Sequence, residues 1–172
     1  YRLIMESLHN VVKHAQAHNI HISAILTCVA PQTGAPRHQT PHLPDDMKGY
    51  LAFVRAAVER YNGDGKNDMP GLLSPILQWK IEDEVMAPQY WRGSGGDYAT
   101  LLSRVYPVIK KTDSSVTVIC SMVRGYPGLG KDPRLCMQEF FDRLTQLKQQ
   151  RPYDVMDQHW MITDPSAPRA EQ

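Results

Sequence analysis

The sequence predicts an α/β fold built on a parallel sheet. Two observations carry this: helix-period and strand-like segments alternate along the chain, and the strand-like segments are apolar nearly throughout, as in strands covered on both faces. Two architectures share that pattern, an open doubly wound sheet and a (β/α)8 barrel, which takes about 250 residues for its eight units. The four strand-like segments of this chain amount to at most half a barrel. In either fold the chemistry gathers at the carboxyl ends of the strands.

Taken in order, Ile4, Leu8, Val11, Val12 and Ala15 recur at helical spacing, and the following NIHISAIL is rich in β-branched residues over strand length. The Pro-rich stretch APQTGAPRHQTPHLP reads as a loop. It ends in Asp45 and Asp46, good N-terminal residues for a helix carrying Tyr50, Val54, Ala57, Val58 and Tyr61 on one face. After the turn NGDGKND, the apolar run LLSPILQWKI predicts a second strand. A third helix, from about Asp97 to Lys111, shows Tyr98, Leu101, Leu102, Val105 and Ile109 at helical spacing, and Pro107 is expected to kink or shorten it. SSVTVICSMV is the third strand. A helix from about Pro133 carries Leu135, Phe140, Phe141, Leu144 and Leu147, and YDVMDQHWM closes the series as a fourth strand.

Composition removes several function classes. The 172 residues are 42% hydrophobic and 22% charged, which suits one sizeable core and does not suit disorder. Lys and Arg (19) balance Asp and Glu (18) at a formal net charge of +1 with no basic stripe, so no nucleic-acid partner is expected. Cys28, Cys120 and Cys136 are odd in number and widely spaced, forming neither a disulfide framework nor a zinc pattern. No apolar run is long enough to span a bilayer, and no membrane partner is expected. The first residues read as an amphipathic helix rather than a signal peptide. The chain begins with Tyr1 instead of Met, so the N-terminus is taken to be missing and localisation stays open.

The chemistry concentrates in LQWKIEDEVM, where Glu82, Asp83 and Glu84 are crowded directly after an apolar strand. Either they begin a solvated loop or they form a site. A second motif, Gly125 to Lys131, fits the phosphate-loop spacing between a strand and a helix. Asp132 stands where a magnesium-holding Ser or Thr belongs, however, and Pro127 removes a cradling amide, so a plain strand-to-helix loop is favoured. His14 and His18 lie one helical turn apart with His21, His38 and His42 following, but carboxylate and thiolate companions at ligand spacing are lacking. No metal and no organic cofactor are expected.

The acidic triplet and its surroundings resemble clan A of the glycoside hydrolases, retaining (β/α)8 enzymes, with family 39 or a relative as the nearest pattern. In that clan the fourth strand ends in Trp-Glu-Ile-x-Asn-Glu-Pro, and Trp79, Lys80, Ile81, Glu82, Asp83, Glu84 and Val85 stand in those places. YLAFVRAAVERYNG is similar to the helix before that strand, YWRGSGGDYATLLSRVYPVIKKTDSSVTVI to the next helix and strand, and YDVMDQHWM to the sixth strand. The resemblance implies one domain over 1–172, a portion of the barrel from about strand 3 to strand 6, cut at both ends. It implies a carbohydrate substrate, Glu84 as general acid/base, and a nucleophile supplied by a later strand.

The same resemblance places Asp83 where an asparagine hydrogen-bonds the sugar 2-hydroxyl, and His159 near the nucleophile and the bound sugar. Three departures stand out: Asp83 for the asparagine, Val85 for the proline, and Lys80 for an acidic or amide residue. An aspartate accepts a hydrogen bond but cannot donate one, and its charge raises the pKa of a neighbouring carboxyl. Trp91 and Trp160 suit stacking on a sugar but equally suit a core, and His159 equally suits a packed strand end. Trp79, well inside its strand, is read as core. Besides the hydrolase, a carbohydrate-binding relative without catalysis and a phosphate-binding α/β domain remain as alternatives.

Overall fold

The computed structural model describes residues 8, 10–15, 18, 20–28, 41–88, 90–122 and 133–158. Helix α1 (residues 10–15) leads into β1 (Ser23–Leu26), α2 (Met47–Tyr61), β2 (Gln78–Ile81), α3 (Gly95–Thr112), β3 (Thr117–Ser121), α4 (Pro133–Gln146) and β4 (Val155–Asp157). All neighbouring strands are parallel and the sheet order is β1-β2-β3-β4. Each strand is therefore laid beside the last on the same side. A doubly wound sheet reverses its order at a switch point, and no reversal occurs among these strands. The architecture is a portion of a (β/α)8 winding. Among the described residues, no helix is long and apolar enough to cross a membrane.

Each helix forms for identifiable local reasons. Asp46 caps α2, its Oδ1 accepting from the Gly49 amide at 2.9 Å, and the helix buries Tyr50, Val54, Ala57, Val58 and Tyr61, the stripe read from the sequence. Ser94 and Asp97 form a reciprocal capping box at the start of α3. Pro107 does not end that helix. Its ring is exposed, while Val105 and Ile109 on either side are buried and Tyr106 and Lys110 are anchored outside the helix.

Two expectations need correction. The run LLSPILQWKI is a strand only from Gln78; its first half contains Pro75 and exposed Leu73, and Ile76 donates its amide to Tyr61 O, lapping back onto the end of α2. In α4 the core face is Cys136, Phe140 and Leu144, whereas Leu135 and Phe141 are exposed. A strict four-residue step selected the inner face there, and two large apolar residues fell beside it.

Between the sheet and its helices runs one apolar core in which Trp79, Trp91, Tyr61, Tyr98 and Phe140 are the largest fully buried side chains. Two polar joints pin it. At the amino end of β3, Asp154 accepts from the Val118 amide (2.8 Å), the Tyr106 hydroxyl (3.0 Å) and the Lys110 ammonium (3.2 Å). Burial pushes the Asp154 carboxyl up, but these donors outweigh it and hold it below its usual range. At the carboxyl end, the Tyr98 hydroxyl donates to Ile81 O at 2.7 Å and accepts from the Ser121 amide at 2.8 Å, joining β2 to β3 where their own ladder stops.

Helices α3 and α4 meet at Gly95, where an added Cβ would lie 1.9 Å from the Cys136 carbonyl oxygen. Gly95→Ala is expected to push the helices apart at a cost of at least about 1–3 kcal/mol. Its neighbour Gly96 has nothing closer than 3.6 Å to such a Cβ, so Gly96→Ala is expected to change stability by less than about 1 kcal/mol. Urea midpoints of the two variants check the contrast. Tyr98→Phe, which leaves a buried amide and a buried carbonyl without their partner, is expected to cost about 2–4 kcal/mol by the same measurement.

Candidate active site

The acidic triplet leaves the carboxyl end of β2 through a backbone that few residues adopt. Glu82 and Glu84 have φ of 56° and 44°, in the left-handed region that disfavours side chains other than glycine. The turn persists because its groups are tied on both sides. The Glu82 amide donates to Leu26 O at the end of β1 (3.0 Å), and the Glu84 amide donates to Ser121 Oγ at the end of β3 (2.9 Å). Beyond it, Val85, Met86 and Ala87 are buried, and the Ala87 amide closes a turn onto Glu84 O at 2.8 Å. This is not a solvated loop.

The three carboxylates take separate environments. Glu82 is 1% exposed, and its Oε1 accepts from the Cys28 amide after β1. Burial pushes its carboxyl up from 4.5 to about 7, against the hydrogen bonds from Cys28 and with a small push from the Asp83 charge. The Cys28 thiol is itself driven far up, first by burial and then by the Glu82 charge, which leaves it a poor nucleophile. Asp83 turns back on its own strand, where Oδ1 lies 2.6 Å from Lys80 Nζ. Glu84 is half-buried at the rim.

Lys80 is the residue that sequence reasoning passed over as a mere departure from a pattern. Its side chain is only 10% exposed, and its ammonium meets both Asp83 (2.6 Å) and, across β3, Asp157 of β4 (2.7 Å). Burial pushes the Lys80 ammonium down, but the two carboxylates more than offset it and hold it above its usual value. A charged residue between Trp79 and Ile81, both buried strand residues, was the signal available.

Of the expected site residues, the structure brings Glu84 and Asp83 to one strand end, together with Asp157. Trp91 does not join them: it is fully buried, packs edge-on to Tyr98 with ring centroids 5.9 Å apart, and donates Nε1 to Ser94 O at 3.1 Å. It is a core residue that steadies the start of α3 and offers no face to a sugar. His159 and Trp160 lie outside the described residues, as does the segment Gly125 to Lys131. The rings of His14 and His18 lie 4.7 Å apart, tilted by 55° to each other, and no group of His, Cys, Asp and Glu among the described residues could hold a metal ion.

No protein-family model and no curated protein matches the chain. Solved structures do. A glucosidase from Croceicoccus marinus superposes with a TM-score of 0.58 at 18% identity, over 87% of this chain and 28% of that one. A family 39 glycoside hydrolase from the gut symbiont Bacteroides cellulosilyticus WH2 aligns at a TM-score of 0.40 and 20% identity, over 67% of this chain and 21% of that one. The chain thus spans little more than a quarter of the length of the glucosidase. What the chain shares with that enzyme is its fold, a portion of a (β/α)8 barrel.

Proposed function

We propose that this chain supplies part of the active site of a retaining glycoside hydrolase, with Glu84 as its general acid/base. One observation carries the reading: a tripeptide of acids at the carboxyl edge of a barrel-type sheet, held in a strained left-handed turn by bonds to the strands on both sides. Strain that the surroundings hold in place at such an edge is characteristic of functional sites. Glu84 leaves that turn at the rim, half-buried, where a sugar can reach it.

In this reading Glu84 protonates the glycosidic oxygen as the bond to the anomeric carbon breaks, then takes a proton from the water that releases the sugar. The nucleophile is a carboxylate about 5–5.5 Å away across the bond, supplied by a later strand of the full-length protein. In the same reading Asp83 accepts a hydrogen bond from a sugar hydroxyl. Glu82 faces β1 from inside the protein and has a structural part.

The test is made on the full-length protein. Glu84→Ala is expected to slow hydrolysis by about 10²–10⁴-fold for substrates with poor leaving groups, and far less for activated aryl glycosides. Added azide should restore turnover of the activated substrates. A variant that hydrolyses unactivated substrates at the parent rate would remove Glu84 from the mechanism, and sugar binding without turnover in the parent would favour a non-catalytic carbohydrate binder.

Glu82 yields a separate expectation, in stability rather than turnover. Its carboxyl titrates at about 7 when folded and at 4.5 ordinarily, so between those values the folded protein holds a proton that the unfolded chain has lost. Its contribution is therefore fully present below pH 4.5 and is lost as pH rises through about 7. The loss is on the order of 3 kcal/mol. Glu82→Gln should flatten that decline, so the variant gains on the parent as pH rises from 5 to about 8. Thermal melts across the range check it.

A further inference from the structure

We propose that Lys80 is a positioning residue for the acid/base centre, fixing the Asp83 carboxylate as an oriented acceptor for a sugar hydroxyl and balancing the negative charge around Glu84. The inference rests on the reading of Glu84 as acid/base.

The geometry carries it in three steps. Lys80 sits on the strand that delivers the triplet, yet its ammonium contacts a carboxylate from each of two strands, Asp83 after β2 at 2.6 Å and Asp157 on β4 at 2.7 Å. Strand β3 lies between those two in the sheet, so the lysine reaches over it and clamps non-adjacent strands at their carboxyl ends. Next, Asp83 Oδ1 is buried although the side chain as a whole is 44% exposed. One oxygen is committed to the lysine, and the exposure belongs to the remainder of the carboxylate. A carboxylate held by one oxygen presents the other in a fixed direction, which is what recognition of a hydroxyl requires.

The third step is charge. Among the described residues, the titratable groups gathered at this edge include Glu82, Asp83 and Glu84 after β2, Asp157 from β4, Tyr98 from α3, and Cys28 and Cys120 after β1 and on β3. Lys80 supplies positive charge to two of the carboxylates directly. Without it the negative charge of both would act on Glu84 unbalanced. The lysine and the aspartate, both departures from the sequence pattern that the chain resembles, are ion-paired with each other. They work as a pair.

A double-variant cycle on the full-length protein tests this, read on the high-pH limb of kcat/KM, which reports the acid of the free enzyme. Lys80→Gln should move that limb to higher pH and Asp83→Asn should move it to lower pH. The double variant should return it close to the parent position. In kcat/KM at neutral pH the two sites should couple by about tenfold, as residues of one salt-bridge network do. A merely structural lysine would change stability and leave the limb in place.

Should Lys80→Gln fail to fold, the double variant is compared with Asp83→Asn alone, and its limb is expected at the higher pH. A limb unmoved in these comparisons overturns the role of Lys80. The Glu84→Ala azide rescue, measured in the same protein, separates the two ideas: rescue with an unmoved limb sinks only the lysine inference, and absence of rescue sinks both.

Discussion

The Tyr98 hydroxyl stands where two strands part, and both the core and the acidic edge depend on it. Strand β2 leaves the sheet at Ile81, and the amide of Glu82 turns to Leu26 on the β1 side. That departure would strand the Ile81 carbonyl and the Ser121 amide in the interior, where unpaired backbone groups are costly. A single hydroxyl from α3 satisfies both, at 2.7 and 2.8 Å. The same ring packs between Trp91 and Phe140, with centroids 5.9 Å from each. The helix that follows the acidic turn thereby closes the gap that the turn opens, and Ser121, fixed through its amide, holds Glu84 through its hydroxyl.

Three like charges in succession are tolerable because each meets a different environment. Glu82 goes inward, where burial raises its carboxyl to about 7 so that it keeps its proton in mildly acidic solution. Asp83 goes back to a lysine. Glu84 goes to the rim, with its amide tied to β3. Alternation of direction over three residues is what an extended strand would supply, but an extended strand would also have placed Glu82 and Glu84 on one face. The left-handed φ at both glutamates breaks that equivalence. Separation of the two carboxyls into a buried acid and a rim acid is therefore a product of backbone strain.

Periodicity disclosed the helices and the order of the elements because amphipathic stripes such as Tyr50, Val54, Ala57, Val58 and Tyr61 record burial directly. It failed where two apolar faces compete, as in α4, where Leu135 and Phe141 look as core-like as Phe140. It overextended β2 because Ile76 and Leu77 are apolar for different reasons, one buried against the end of α2 and one exposed. At the site, the motif singled out Glu84 and Asp83 but could not reveal the burial of Trp91 or the reach of Lys80. The first depends on how the chain folds back at the start of α3, where Trp91 packs on Tyr98, and the second on Asp157, 77 residues away and brought close by the winding of the sheet.

The register shows why the charge lies where it does. Ile25, Lys80, Ile119 and Val155 stand in one row across the four strands, on the face opposite the buried Ala24, Trp79 and Val118. Two residues further along, the corresponding positions are Thr27, Glu82, Ser121 and Asp157. The face thus changes from apolar to wholly polar within one step toward the carboxyl edge. Lys80 is the exception in the lower row, and its long stem resolves the exception: the methylenes cover the apolar row while the ammonium rises to the carboxylates above. At the two edges of the same row Ile25 and Val155 remain 47% exposed. Lys80, at an inner position, is closed over by its own ion pairs, so the clamp that orders the acidic edge also shelters the middle of the row beneath it.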